Sequence, residues 1–265
     1  MSVKINERSL GAEVSASRSV GAAMGHNVRF LPAGDTALVV EFGESIDRTV
    51  NDRVLRLHER VRLAGLPGVT ETVPTFRSLL VHYDPLRTGF RELSRGLQGL
   101  LSEHAERTHG ARRWSVPVCY EPPFAPDLPE VAERTGLAPD EVVELHASVA
   151  YHVYMLGFLP GYPYMGDLPE TLVLPRRENP RVRVPPGSVA IATTLTAIYS
   201  LESPGGWHLI GATPARTFDP AWDPPVLFAP GDTVTFTPVG RETFERIRTE
   251  ATAGRYRVPC QESAP

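Results

Sequence analysis

The sequence predicts an α+β protein: a small α/β unit followed by a compact β-rich unit. Three observations lead there. Residues 27 to 110 alternate short β-rich runs with two helical stripes. Helical periodicity is lost after Leu156. From Tyr151 to Phe218, glycine and proline punctuate aromatic, arginine-bearing and β-branched segments, leaving little room for regular helix.

In the first unit, Val28 to Leu31 and Thr36 to Phe42 read as strands about a Pro-Ala-Gly-Asp turn. Val50, Val54, Leu57 and Val61 form a helical stripe within residues 46 to 64, closed by Gly65, Pro67 and Gly68. Val69 to Val73 and Ser78 to Tyr83 are further strands, and Leu93, Leu97, Leu100 and Leu101 mark a second helix. The β-β-α-β-β-α order predicts a small α/β sandwich, two helices on one face of a sheet.

The proline-rich stretch 117 to 129 holds a boundary or an early strand. Asp127 is expected to cap a short helix that stops at Gly136. A longer helix starts at Pro139, with Asp140 and Glu141 in its first turn. Val142, His146, Val149 and Val153 share one of its faces. Short β segments are expected at 171–174, 181–184, 188–192, 197–201, 208–211 and 233–238, the pattern of a barrel or sandwich. The division expected is an extension at 1–26, an α/β domain at 27–110, a β domain at 111–245 and a tail at 246–265. The Ser/Ala/Gly-rich extension offers too little apolar surface to offset its ordering.

Composition excludes several classes. The net charge of -4 gives no footprint for nucleic acid or anionic lipid. No apolar run approaches the roughly 20 residues that cross a bilayer, and no signal-peptide h-region is present. Cys119 and Cys260 fit a reducing, cytoplasmic setting. Lys4 is the only lysine, so the expected folded part offers no P-loop, Schiff-base or biotin-carrying lysine.

Several residues could carry chemistry. His146, on an apolar helix face, is either a core histidine or a catalytic group facing a site; His152 projects roughly opposite and is expected to be exposed. No histidine pairs at metal spacing, so no metal ligand is expected, His208 included. The run Gly157 to Gly166 is a rigid turn whose Tyr162 or Tyr164 plugs a barrel end or lines a pocket. Arg176, Arg177, Arg181 and Arg183 fall within eight residues. They form either a solvated face or an anion clamp, with Arg181 and Arg183 on one face of a strand. In Ser203-Pro204-Gly205-Gly206-Trp207, consecutive glycines serve a turn, a close backbone approach or an anion-binding nest.

The runs GFLPGYPYMG, PRRENPR, VPPGSVAIA, SPGGWHLIG and APGDTVTF, with RFLPAGDTALVVEFG and VPTFRSLLVHYDP upstream, resemble the family of allophanate hydrolase subunit 1 and the B-type subunit of 5-oxoprolinase. The resemblance covers residues 28 to 240. It implies a C-terminal β-barrel domain similar to cyclophilin. It also implies a partner akin to allophanate hydrolase subunit 2 or the C-type subunit of 5-oxoprolinase, a third lactam-hydrolysing subunit, and ATP used by the assembly to open a small lactam or amide. The candidate site residues are His146 as the catalytic group, with Tyr162, Tyr164, Arg176, Arg181, Ser203, Gly205, Gly206 and Trp207 around substrate. Leu195 stands where the family has glutamine and Ala212 where it has arginine, and both are expected to face one pocket. The same family includes a sporulation kinase inhibitor, so the alternative is a regulatory binding protein without catalysis of its own.

Overall fold

The structure, a computed structural model, describes residues 28–102 and 111–262. The expected extension therefore lies outside the described residues.

The first unit runs β1 (Arg29–Pro32), β2 (Ala37–Glu41), α1 (Arg48–Ala64), β3 (Val69–Pro74), β4 (Ser78–Tyr83) and α2 (Phe90–Ser102). Its antiparallel sheet has the order β1-β2-β4-β3. Alternation sends Leu38, Val40, Leu79 and Val81 to one face, where they meet Val54, Leu57 and Val61 of α1 and Leu93 and Leu97 of α2. The start of α1 is fixed by Asp47, whose carboxylate accepts the Val50 amide at 2.8 Å. Gly65 ends the helix in the left-handed region, its amide donating to Val61.

The second unit comprises β5 (Arg112–Val118), α3 (Leu128–Thr135), α4 (Pro139–Ala147), β6 (Tyr151–Leu156), β7 (Pro163–Gly166), β8 (Arg181–Val184) and β9 (Ser188–Ala192). It continues with β10 (Leu195–Ile198), β11 (Ser203–Gly205), β12 (His208–Ala212), β13 (Thr233–Pro238), α5 (Arg241–Thr252) and β14 (Cys260–Glu262). Eight strands form one sheet, ordered β12-β9-β10-β7-β6-β13-β5-β14, while β11 and β8 pair separately. In the large sheet β13 runs parallel to β5. Its main core gathers Val116, Val118, Tyr151, Val153, Met165 and Ile191.

The expected closed barrel is corrected in one respect. No continuous ladder joins β12 to β5; the two sides meet through a single bridge, in which Cys119 and Ala212 exchange hydrogen bonds of 2.8 and 2.9 Å. The long helix expected up to Leu156 instead stops at Ala147. Tyr151–Leu156 becomes a strand because its first four residues are buried on both faces, which the run of aromatic and apolar side chains permits. Residues 171–174 form no strand: a single 3-10 turn occupies Glu170–Leu172. Within the expected tail, α5 continues to Thr252 and β14 pairs with β5.

The units touch through buried polar contacts. Asn51 of α1 donates to the Thr75, Phe76 and Tyr154 carbonyls at 3.0, 3.2 and 3.2 Å. Its Oδ1 accepts from His152 Nε2 at 2.8 Å. His152 is therefore buried, not exposed as expected, because its strand faces α1. Arg48 adds an ion pair to Asp167 and a 3.0 Å bond to the Ala150 carbonyl.

Candidate functional site

The sheet's second face, opposite the main core, carries an aromatic group. Period-two alternation places Ala190, Ala192 and Ala197 on this face, while Val189, Ile191 and Ile198 turn to the core. The alanines leave room for rings delivered by strand ends: Tyr162 before β7, Tyr164 on it, Tyr199 after β10 and Trp207 before β12. The Tyr162 ring centre lies 5.0 Å from Tyr164, 5.2 Å from Tyr199 and 6.3 Å from Trp207. Tyr164 lies 6.0 Å from Trp207, edge to face. Leu159 and Leu195 pack at the margin, half-buried. The first unit contributes Phe76, whose ring is 5.8 Å from Tyr164.

Arg176 supplies the charge of this wall. Its guanidinium lies over Trp207, 6.0 Å from the ring centre. It is exposed, and no carboxylate among the described residues pairs with it. Burial raises the Tyr162, Tyr164 and Tyr199 hydroxyls above their usual range, with Arg176 pulling each slightly back. All three are thus neutral near pH 7. The Tyr162 and Tyr199 rings meet edge to face, both buried. A free guanidinium, flat rings and neutral hydroxyl donors can together hold a small anion that carries a carbonyl.

Other expected site residues are placed differently. Arg181 is spent on Asp127, donating at 2.8 Å from Nη1 and 2.5 Å from Nη2. Arg177 joins the same carboxylate at 3.1 Å and reaches Glu130 at 2.9 Å. The Leu209 amide donates to Asp127 as well, at 2.6 Å. Asp127 makes no side-chain cap to its helix, correcting that expectation: the buried carboxylate finds stronger donors in two guanidiniums. Arg183 points to solvent and pairs with Glu202 at 2.6 Å.

His146 lies in the core. Fully buried, it lies between the Tyr120 hydroxyl at Nδ1 (2.8 Å) and Thr196 Oγ1 at Nε2 (2.9 Å). Thr196 donates its own proton to the Ala190 carbonyl at 3.1 Å, so Nε2–H donates to Thr196 and Nδ1 accepts from Tyr120. Burial lowers its pKa to about 3, and its ring stacks on Phe236 at 4.7 Å. The structure thus places it among core partners, away from the aromatic wall.

The glycine pair also has a structural cause. A Cβ on Gly205 would stand 2.2 Å from the Tyr199 hydroxyl, so the close approach is to that ring and not to a ligand. On Gly206 it would meet nothing nearer than 3.6 Å, and neither glycine has the left-handed backbone of an anion nest. Ser203 Oγ is buried without a hydrogen-bond partner among the described residues, and nothing ties it to the rings. His208 donates from Nε2 to the Pro175 carbonyl at 3.0 Å. Among the described residues no group of three or more His, Cys, Asp or Glu is placed to hold a metal ion.

Leu195 and Ala212 do not share a pocket. Leu195 pairs with Ala192 at one end of β9, and Ala212 with Ser188 at the other. Four residues of strand separate them, roughly 13 Å. Leu195 borders the aromatic wall, whereas Ala212 lies at the bridge to Cys119. Sequence reasoning missed Tyr199 and Phe76 as wall residues. Phe76 carried no local signal, because its contact with Tyr164 spans the two units.

Comparison with known proteins shows the family. Residues 28–228 match the family described as the carboxyltransferase domain, subdomains C and D. The B-type subunit of 5-oxoprolinase from Bacillus subtilis (strain 168) is 38% identical over 229 residues, which is 82% of this chain and 95% of that protein. Its counterpart in Escherichia coli O157:H7 is 42% identical over 206 residues, covering 77% and 93%. The crystal structure of TTHA0988 superposes with a TM-score of 0.70 at 40% identity, covering 77% of this chain and only 40% of that one.

Proposed function

This chain belongs to the family of carboxyltransferase domains, subdomains C and D, and from that premise we propose that it is a B-type subunit of a 5-oxoprolinase. The observation that carries the reading is coverage: the likeness to the Bacillus subtilis protein extends over 95% of its length, so it concerns a whole subunit. In this reading the chain acts in the cytoplasm beside A-type and C-type subunits, the latter akin to allophanate hydrolase subunit 2. The matched part of TTHA0988 is embedded in a longer chain, which supports a close neighbour for this unit. We infer that the chain divides near residue 111 and that its large sheet is an incompletely closed relative of the cyclophilin-like barrel, its ends meeting only at Cys119 and Ala212.

The assembly uses ATP to open 5-oxoproline to glutamate. The described residues include no lysine and no glycine-rich phosphate loop, so we assign nucleotide handling to another subunit. This chain's part is recognition. Arg176 holds the substrate carboxylate, and half-buried Tyr164, backed by the buried Trp207, packs on the ring. Arg181 positions Asp127 and the strand that follows Trp207, and takes no substrate.

The test is reconstitution with A-type and C-type subunits, following ATP-dependent loss of 5-oxoproline. Arg176→Gln should raise KM about tenfold, the loss of one charge-assisted hydrogen bond, with the thermal midpoint unchanged. No turnover by the complete wild-type assembly refutes the function. Full affinity in Arg176→Gln refutes the assignment of Arg176.

A further inference from the structure

Away from the aromatic wall, a cavity of about 500 Å3 opens between the loop 216–227 and residues 251–258, the last turn of α5 and the segment after it. Small-molecule clefts run roughly 300–1,000 Å3. The loop is well tied: Phe218 bridges Val226, and the Asp219 and Leu227 amides donate to Pro225 and Thr217, each at 2.9 Å. Trp114, Leu227 and Val258 give an apolar lining, and Trp222 and Tyr256 add two more rings.

The charges of the lining separate into satisfied and unsatisfied groups. Arg112 lies over the Trp114 ring at 4.9 Å and pairs with Asp232 at 2.8 Å. Arg216 pairs with Asp219 at 2.9 Å. Arg257 and Asp223 also line the cavity, and neither has an ion partner among the described residues. The C-terminal end of α5 closes the space, and a helix end of that polarity favours a positive group. A singly charged ligand would use one of these features and leave the other in water, unused. A zwitterion with an apolar body uses both, together with the rings, which also attract an ammonium group.

We propose that this cavity binds a free α-amino acid with a large apolar side chain. Its carboxylate meets Arg257, its ammonium meets Asp223 and the end of α5, and its side chain lies on Trp114 and Trp222. The family match ends at residue 228, whereas seven of the sixteen lining residues, Arg257 among them, come from 251–258. The lining shares no residue with the aromatic wall, so the proposal is independent of the substrate reading above.

The probe is L-phenylalanine, titrated into the full-length chain and followed by calorimetry and tryptophan fluorescence. Benzoate and phenethylamine, each lacking one charge, are the comparisons. L-Phenylalanine should bind at least about tenfold more tightly than either. Arg257→Gln and Asp223→Asn should each weaken it about tenfold while leaving the thermal midpoint in place, since both residues are exposed. Absence of binding up to about 10 mM, equal binding of benzoate or phenethylamine, or unchanged affinity in both variants overturns the proposal.

Discussion

Replacing Asp127 by alanine removes the acceptor on which Arg177, Arg181 and the Leu209 amide converge. Asp127 is 3% exposed, while the side chains of Arg177 and Arg181 keep 23% and 26%. The Leu209 amide is buried and left without this partner, a cost of about 1–3 kcal/mol. A fully buried ion pair broken from one side costs about 3–5 kcal/mol. Here both guanidiniums can turn partly into water, which moves the total to the lower half, about 3–4 kcal/mol. For a chain of this size that is a fall in thermal midpoint of about 6–15 °C. Arg181→Met should cost less, because Asp127 keeps Arg177 and the Leu209 amide. The assay is scanning calorimetry of the wild type and both variants. An Asp127→Ala midpoint within about 2 °C of wild type, or an equal loss in Arg181→Met, would refute the reasoning.

Two further outcomes follow from named contacts. His146 has its pKa lowered to about 3 in the fold against an ordinary value of 6.5. The unfolded chain therefore takes up a proton first: stability is intact above about pH 6.5, falls as the pH drops toward 3, and is about 2 kcal/mol lower at pH 5. His146→Gln should flatten that slope in urea titrations across the range, and an unchanged slope counts against the burial argument. Leu195→Gln and Ala212→Arg, being at opposite ends of β9, should act additively on KM within about 0.5 kcal/mol; a larger coupling would return them to one pocket.

Local chemistry made much of the fold legible. The Val50–Val61 stripe, its Gly65 stop and the β9 and β13 runs carry their own periodicity or turn signals. Tyr151–Leu156 did not, because a short run buried on both faces has no alternation to distinguish it from buried helix. The parallel pairing of β5 with β13 joins residues more than 100 positions apart, and no local pattern encodes it. Tyr162, Tyr164, Arg176 and Trp207 were readable as site candidates, since aromatics and arginine among glycines and prolines announce a fixed loop. The fate of Arg181 was not, because its partner Asp127 lies 54 residues upstream. His146 on an apolar face fits a ligand-facing group and a core group equally until Tyr120 and Thr196 are placed around it.

The bridge between Cys119 and Ala212 gives the larger unit a built-in clasp. Neighbouring strands of the sheet share from two residue pairs, as β6 with β13, to six, as β5 with β13, whereas this seam has one. The opening of lowest cost therefore lies along it, short of global unfolding. The seam is narrow as well: a Cβ on Gly211 would stand 2.7 Å from Val118, so only a glycine lets the two sides close. The Cys119 thiol is sealed at this point, with burial raising its pKa. It becomes a clock for the clasp, reacting with a thiol reagent only during the intervals when the seam stands open.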